Sequence, residues 1–322
     1  AALGEDGSLH CWSLLGPADV PEEFSNEIID IRRGFVSLLG LRRDGRVFTI
    51  EKPEDAQPPQ FAWVDLPQPA TAIRRNAYGL LYRRANDGRW DTDREYANGM
   101  HEVVRGLDPG SVIDIDISAG MHKTDMVVWI ERGDGAGDRS LSTAPPATTG
   151  TAEPRPVEVL RQSPDRDLPD RYTPGTPGRL LGTGVLWPGT IPLDLSHAES
   201  HSDFVEVAVD NTHWFALRED GTVLSSHPEI DGMDSVWRLE QQGDGGALLF
   251  CQEDNTVRST RTPKIPIRST AGPLPADQID WIAHASSGAG AARLHGGQVV
   301  AYGNFLPDAV RLRISEAFAD AV

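Results

Sequence analysis

The feature that most constrains this sequence is a tight-turn signal that recurs between apolar runs. Asp-Gly, Asn and Gly-Gly supply the positive φ angles that two-residue hairpin turns require. The seven turn signals lie at 6–7, 44–45, 87–88, 134–135, 220–221, 254–255 and 296–297. A turn that returns in the same context predicts a chain built from repeated antiparallel units.

Two strand-like runs precede each turn, and a third follows it. The first run alternates apolar and polar residues, as in "IIDIR", "VIDIDI" and "VEVAV", which is typical of a strand with one buried face. The second run leads into the turn, as in "VSLLGL" and "WFAL", and the third follows, as in "RVFTI" and "TVLSS". Since no long amphipathic helix is visible, the pattern indicates an all-β chain of seven units.

The two ends of the chain divide one such unit between them. The C-terminal "VRLRISEAFADAV" followed by the N-terminal "AALGEDGSLHCWSL" matches the internal "FVEVAVDNTHWFALREDGTVLSSH". Radial repetition leaves each unit with only short, protected edges. We therefore predict a seven-bladed β-propeller of four-stranded antiparallel blades, closed by pairing of the N- and C-terminal strands in one blade. Residues 1–322 then form a single domain.

The repeats resemble those of the regulator-of-chromosome-condensation propellers. The best copies are "VEVAVDNTHWFALREDGTVLSS" and "IDISAGMHKTDMVVWIERGDG". Gly120 and His122 match the Gly-x-His signal of that family, His213 matches its His, and Tyr302-Gly303 stands where the family has Trp-Gly. The resemblance spans the chain except about residues 136–203. It implies a propeller fold and, broadly, roles as partner docks, protein inhibitors and exchange factors.

One connection is far longer than the others. Residues 136–203 are rich in Pro, Gly, Ser and Thr, whereas ordinary loops have a median of about 4–6 residues. We predict a Pro/Gly-rich insertion at about 136–203, made of an ordered edge hairpin and a mobile segment. An eighth blade, with "PRPVEVL" and "GVLWPG" as strands, is the less favoured alternative, and "AGDRSL" makes a poor third strand for the fourth unit.

Charge narrows the classes of partner. A formal net charge of −18 repels phosphate backbones and anionic membranes, so nucleic acid is an unfavoured partner. No apolar run approaches the roughly 18–20 residues of a membrane span, and no signal peptide is visible. Cys11 and Cys251 are interpreted as small buried residues. The compartment is not fixed, with a slight preference for the cytoplasm.

Motifs for catalysis and metal binding are weak. The chain has no Gly-x-Ser-x-Gly elbow, phosphate-binding loop or Cys-x-x-Cys pair. His197 and His201 are spaced to share a helical face but have no evident third zinc ligand. The acidic loop at 165–170 lacks the Gly and the distal Glu of a calcium loop, and 132–134 is an Arg-Gly-Asp tripeptide on a predicted turn. We expect no metal and no cofactor.

The loops between the first and second strands of the units lie on one rim of the predicted ring. Aromatic residues beside acidic and small residues are typical of protein-binding hot spots. The aromatic members are also candidates for the core between blades. The predicted partner-binding residues are Phe35, Tyr78, His122, Asp210, His213, Trp214, Asp244 and Asp320.

The sequence favours a non-catalytic protein-binding module, an inhibitor or a scaffold, that acts through these rim loops on a protein partner. One alternative is a guanine-nucleotide exchange factor for a small GTPase, with the long insertion as the wedge. Another is a propeller-type hydrolase or lyase whose acids and histidines, among them Asp210 and His213, meet at the central channel. Chromatin binding fits the acidic charge worst. The question of enzymatic activity stays open.

Overall fold

The computed structural model describes most of the predicted strands. It describes residues 2–3, 7–13, 16–33, 37–51, 58–76, 79–93, 99–119, 125–132, 177–186, 191–210, 212–241, 247–252, 254–260, 262–266, 268–269, 272–284, 289–295 and 299–303. Within these ranges the chain is all-β, and its sheets are antiparallel. The strands follow one another as antiparallel meanders, which we call units 1 to 7 in chain order.

The first three units lie in separate sheets. Unit 1 contains β1 (Ala2–Leu3), β2 (Leu9–Ser13) and β3 (Gly16–Ala18). Unit 2 contains β4 (Ile28–Arg33), β5 (Ser37–Arg42), β6 (Val47–Glu51) and β7 (Gln60–Trp63). Unit 3 contains β8 (Ala70–Asn76), β9 (Gly79–Arg84) and β10 (Trp90–Thr92).

Units 4 and 5 are joined into one sheet by a single pair, Gly178 with Phe204. Unit 4 contains β11 (Val112–Ala119), β12 (Asp125–Arg132), β13 (Gly178–Leu186) and β14 (Ile191–Pro192). Unit 5 contains β15 (Phe204–Val209), β16 (Trp214–Arg218) and β17 (Val223–Ser225).

The last two units again form separate sheets. Unit 6 contains β18 (Val236–Gln241), β19 (Ala247–Cys251), β20 (Thr256–Ser259) and β21 (Thr262–Pro266). Unit 7 contains β22 (Arg268–Ser269), β23 (Gly272–Pro273), β24 (Ile279–His284), β25 (Ala289–Leu294) and β26 (Val299–Gly303). In unit 7 the sheet order is β24, β25, β26, β22 and β23, so the outer strands come from the segment that precedes β24.

The helical elements in the described ranges are short. They are α1 (Glu22–Ser25), α2 (Met100–Gly106) and two 3₁₀ turns, Ser196–Ala198 and Ala276–Gln278. α2 has 7 residues, and no helix in the described part of the chain is long and apolar enough to cross a bilayer.

Every described pair of first and second strands carries a register shift near the start of the first strand. Such a bulge adds one residue and strengthens the local twist. The shifts lie at Ile28/Asp30, Ala70/Ala72, Val112/Asp114, Phe204/Glu206, Val236/Arg238 and Ile279/Trp281. The repeated bulge shows that the units share backbone geometry as well as sequence, although the sequence did not predict it.

The apolar core is divided into layers between consecutive units. In β12, Val127 and Trp129 pack toward unit 3, whereas Met126, Val128 and Ile130 pack toward unit 5. In β19, alternate residues likewise pack toward unit 5 and toward unit 7. Both faces of these second strands are therefore buried, which explains why they read as continuous apolar runs.

The turn glycines meet the next unit directly. Gly7, Gly45 and Gly221 have φ values of +83°, +85° and +89°. Their carbonyls accept the backbone N–H groups of Ile28, Ala70 and Val236, at 2.8–3.0 Å. The turn thus supplies both the hairpin and the contact to the following unit, and the predicted positive φ is confirmed at these positions.

The predicted strands of units 2 to 7 are confirmed wherever the structure describes them, with ends that differ by one or two residues. The third strand of unit 4 is an exception, because β13 at Gly178–Leu186 takes that position within the long connection and pairs with both β12 and β14. Residues 177–203 thus contain two strands of the fold. Residues 133–176 and the C-terminal strand predicted at 310–314 lie outside the described residues.

Candidate functional site

The loop between β15 and β16 belongs to the predicted rim, and the structure describes its residues Asp210, Thr212 and His213. Asp210, at the end of β15, accepts hydrogen bonds from the backbone N–H groups of Thr212 and His213, at 2.6 and 2.5 Å. The Thr212 hydroxyl also donates to Asp210, at 2.9 Å. An aspartate that binds the backbone two and three residues ahead fixes a tight turn. The loop is therefore preorganised by one carboxylate.

Asp210 stays ionised in this arrangement. Burial opposes its charge, but the hydrogen bonds from His213 and from the Thr212 N–H, together with the positive potential of the imidazole, outweigh burial and lower its pKa below the usual value. The side chain of His213, with Nδ1 3.5 Å from Asp210 Oδ2, is 27% exposed. Because the Thr212 hydroxyl donates to Asp210, it accepts a hydrogen bond from His213 Nδ1 at 2.7 Å. The loop thus presents an oriented imidazole backed by a carboxylate.

A second histidine, which the sequence reasoning did not select, lies beside this loop. The ring centroids of His227 and His213 are 4.6 Å apart, with their planes at 56°. His227 follows β17, whose end is joined to the start of β16 by the Ser225 hydroxyl, which donates to the Trp214 carbonyl at 2.7 Å. Only the pairing of β16 with β17 brings the two imidazoles together, because no local motif links positions 213 and 227.

Trp214 lies beneath the loop rather than on its surface. Its side chain is 0% exposed in the core between units 4 and 5, and its indole N–H donates to the Asp194 carbonyl at 3.1 Å. His197 packs against the indole, with ring centroids 4.8 Å apart. Trp214 therefore supports the loop from the core side, which was the alternative left open for the aromatic rim residues.

The structure describes three of the eight predicted partner-binding residues: Asp210 and His213 lie in the β15–β16 loop, and Trp214 is the first residue of β16. Phe35, Tyr78, His122, Asp244 and Asp320 lie outside the described residues.

The two histidines considered as zinc ligands lie in different environments. His197 is on a 3₁₀ turn against Trp214, whereas His201 Nδ1 lies 4.0 Å from Asp203 Oδ1 at the other end of β15. In the described ranges, no three His, Cys, Asp or Glu residues are placed to hold a metal ion. The acidic loop at 165–170 lies outside these ranges.

Carboxylates on the first strands join one unit to the next. Asp114 and Asp116 of β11 accept the backbone N–H groups of Val207 and Val209 in β15, at 2.9 and 2.7 Å. Glu206 of β15 accepts the N–H of Leu239 in β18 in the same way. These N–H groups face away from the second strand, so a carboxylate from the preceding unit satisfies them. The acids of "VIDIDI" and "VEVAV" thus stabilise the contacts between units.

Asp116 is the most deeply buried of these acids, with 1% exposure. Burial raises its pKa well above the usual value, although hydrogen bonds from the N–H groups of Val209 and Ile117 act in the opposite direction, and the neighbouring Asp114 charge raises it further. A raised carboxyl pKa means that the folded chain holds this proton over a range of pH in which the unfolded chain, with a pKa of about 3.9, has lost it.

The raised pKa of Asp116 predicts that the free energy of unfolding of the chain depends on pH. The protonated form of Asp116 contributes fully below the unfolded-state pKa, and that contribution is lost as the pH rises toward the folded-state pKa. We expect the free energy of unfolding of the wild type, relative to Asp116→Asn, to fall between about pH 4.5 and pH 8. Urea unfolding of the wild type and of Asp116→Asn at both pH values measures this difference. The variant Asp65→Asn, at an exposed site, corrects for the change in net charge. A difference that stays constant or grows with pH contradicts the assignment.

No family model matches the chain, and no curated protein matches it. Among solved structures, Hsv2 of Kluyvelomyces marxianus aligns with 10% identity over 94% of this chain and 88% of its own, at a TM-score of 0.41. The WD40 β-propeller domain of Doa1 aligns with 16% identity over 86% and 93%, at 0.34.

A chain from the structure of Kap60 bound to yeast RCC1 (Prp20) aligns with 10% identity, over 88% of this chain and 57% of its own, at a TM-score of 0.32. All three TM-scores lie below 0.5, and these values assign neither a fold family nor a function to the chain. The resemblance to regulator-of-chromosome-condensation repeats therefore stays a prediction from the sequence.

Proposed function

We propose that the chain is a seven-bladed β-propeller, closed by its two termini, that serves as a non-catalytic protein-binding module. Successive meanders packed face to face support the arrangement, and the first strands β4, β8, β11, β15 and β18 contact one another in chain order. In unit 1, β1 pairs with β2 through Leu3 and Leu9. The terminal run at 310–314 would supply the first strand beside β1.

The observation that carries the functional proposal is the fixed loop at Asp210. The Asp210 carboxylate already holds the loop through three hydrogen bonds. Binding of a partner at His213 therefore costs little free energy for ordering the loop. His213 is the partly exposed contact in this proposal, and Trp214 holds the loop from the core. Phe35, Tyr78, His122, Asp244 and Asp320 remain predicted contacts on the same rim.

The distribution of charge supports a basic protein as the partner. Between residues 180 and 237 the chain has ten acidic residues and one basic residue, Arg218. Fields of one sign accelerate the encounter with a surface of the opposite sign. A scaffold or an inhibitor needs only an acidic binding surface of this kind, because blocking a partner's site requires no reacting group on this chain.

His213→Ala should weaken binding to the partner. An affinity capture from a lysate of the source organism, with the intact chain as bait, identifies proteins that the wild type retains. We expect the variant to bind the captured protein about tenfold more weakly, the effect typical of a hot-spot contact worth about 1–2 kcal/mol. Affinity should also fall between about 50 mM and 300 mM salt if charge steers the encounter.

The matched control is His201→Ala. His201 is 31% exposed, similar to His213, but it precedes β15 whereas His213 follows it, so the two residues lie about 20 Å apart along a six-residue strand. Both variants should unfold within a few degrees of the wild type. Equal binding by the wild type and His213→Ala, or an equal loss in His201→Ala, contradicts a binding surface at the β15–β16 loop.

A further inference from the structure

Two imidazoles meet at one end of unit 5, and we call His213 and His227 the histidine cluster. His213 and His227 lie 4.6 Å apart between ring centroids, and His197 lies 4.8 Å from the Trp214 ring. The two residues come from segments that are separate in sequence, namely the β15–β16 loop and the turn after β17. A change in the charge of the cluster therefore acts where these two segments meet.

His227 holds the turn after β17 through an unprotonated nitrogen. Its Nδ1 accepts the backbone N–H of Glu229 at 3.2 Å. A neutral imidazole has one acceptor nitrogen, whereas an imidazolium donates from both. A second proton on His227 therefore removes this hydrogen bond and places two N–H donors against each other.

The other charged groups around the cluster act in a defined way. Asp210 Oδ2 lies 3.5 Å from His213 Nδ1, and the His213 ring faces the His227 ring. Asp231 Oδ1 accepts the Ser225 N–H at 3.0 Å and lies 3.9 Å from His197 Nε2. A charged His197 would attract the same Asp231 oxygen that accepts the Ser225 N–H. The His197 charge also interacts with Asp194.

The rest of the turn is held by apolar packing and by backbone hydrogen bonds, neither of which involves a titratable group. Ile230 is fully buried in the core between units 5 and 6. The N–H groups of Ile230 and Asp231 both donate to the His227 carbonyl at 3.0 Å. Protonation therefore acts on the attachment at 227–229, while Ile230 keeps the following residues in place.

From this geometry we infer that His227, within the histidine cluster, is a pH-sensitive switch: its protonation under mildly acidic conditions releases the Glu229 backbone N–H from the His227 side chain. The relevant range is about pH 7.5 to pH 5, in which imidazole side chains ordinarily change charge. Release changes the surface beside the β15–β16 loop without unfolding unit 5. The inference does not depend on the proposed function.

The test is amide hydrogen exchange of the full chain followed by NMR at about pH 7.5 and pH 5, corrected for the intrinsic pH dependence of exchange. We expect protection of the Glu229 amide to fall by about fivefold at the lower pH, which matches the loss of one ordinary hydrogen bond. The Val236 amide, bonded to Gly221 outside the cluster, should keep its protection. Unchanged protection at Glu229 overturns the inference, and so does an equal loss at both amides.

The variant His227→Asn separates the switch from a general effect of acid. Its side-chain oxygen is an acceptor that does not titrate, so Glu229 should stay protected at both pH values. His201→Asn, away from the cluster, and His213→Asn, which leaves His227 in place, should both retain the loss of protection. A loss that persists in His227→Asn, or that disappears in His201→Asn, contradicts the assignment. The wild-type measurement decides by itself if His227→Asn does not fold.

Discussion

Replacing Trp214 with alanine is expected to lower the free energy of unfolding by about 3–5 kcal/mol, the range measured for large buried aromatic side chains. The indole is fully buried between units 4 and 5, in a core that also contains Met126, Val128 and Phe204. The variant loses this packing and the hydrogen bond from the indole N–H to the Asp194 carbonyl. Urea unfolding followed by circular dichroism measures the change.

Trp214→Phe separates the two contributions. Phenylalanine keeps most of the apolar volume but has no N–H, so we expect a loss of less than half that of the alanine variant. A Trp214→Ala variant as stable as the wild type would show that the indole is not packed in this core. The prediction also bears on function, since a loss of partner binding in Trp214→Ala reports on folding, whereas the same loss in His213→Ala reports on contact.

Gly45→Ala is expected to destabilise the chain by about 2–4 kcal/mol, because two effects add. The residue has a φ of +85°, which an L side chain rarely adopts, and its carbonyl accepts the Ala70 N–H at 2.8 Å. A Cβ at this position would lie 2.6 Å from Pro69 Cβ and 3.0 Å from the Ala70 carbonyl oxygen. The turn of unit 2 would have to move away from the first strand of unit 3.

The matched control is Gly232→Ala. Gly232 has a similar φ of +76°, but a Cβ there would meet no atom within 4 Å. The control therefore carries only the backbone cost of about 1–2 kcal/mol. The difference between the two variants in urea unfolding isolates the contact between units 2 and 3, and equal losses would show that this contact contributes nothing.

The positions of the strands could be predicted from the sequence because the signals are local. Period-two alternation and residues that accept a positive φ act over a few neighbours, so "WFAL" and "TVLSS" locate β16 and β17 without knowledge of the rest of the chain. The same local signals failed in unit 4. There the third strand, β13, follows a long connection, and no tight turn marks where it begins.

The candidate site was only partly predictable, for a physical reason that Trp214 illustrates. The pattern places Trp214 directly after a rim loop, where an exposed anchor and a core residue look the same. The neighbours that bury it, such as Asp194 and Met126, come from unit 4 and from the segment after it. His227 was missed for a related reason, because it reaches His213 only through the pairing of β16 with β17.

By itself, the sequence determined the all-β class, the order of strands and turns, and the acidic charge of the chain, since each depends on composition or on residues close in sequence. The tertiary structure decided which polar side chains join the units. Asp116 and Val209 are 93 positions apart, and no local pattern encodes that contact. Packing between units therefore determines that the carboxyl side chains of β11 stabilise the fold, whereas Asp210 and His213 form a preorganised loop at the end of β15.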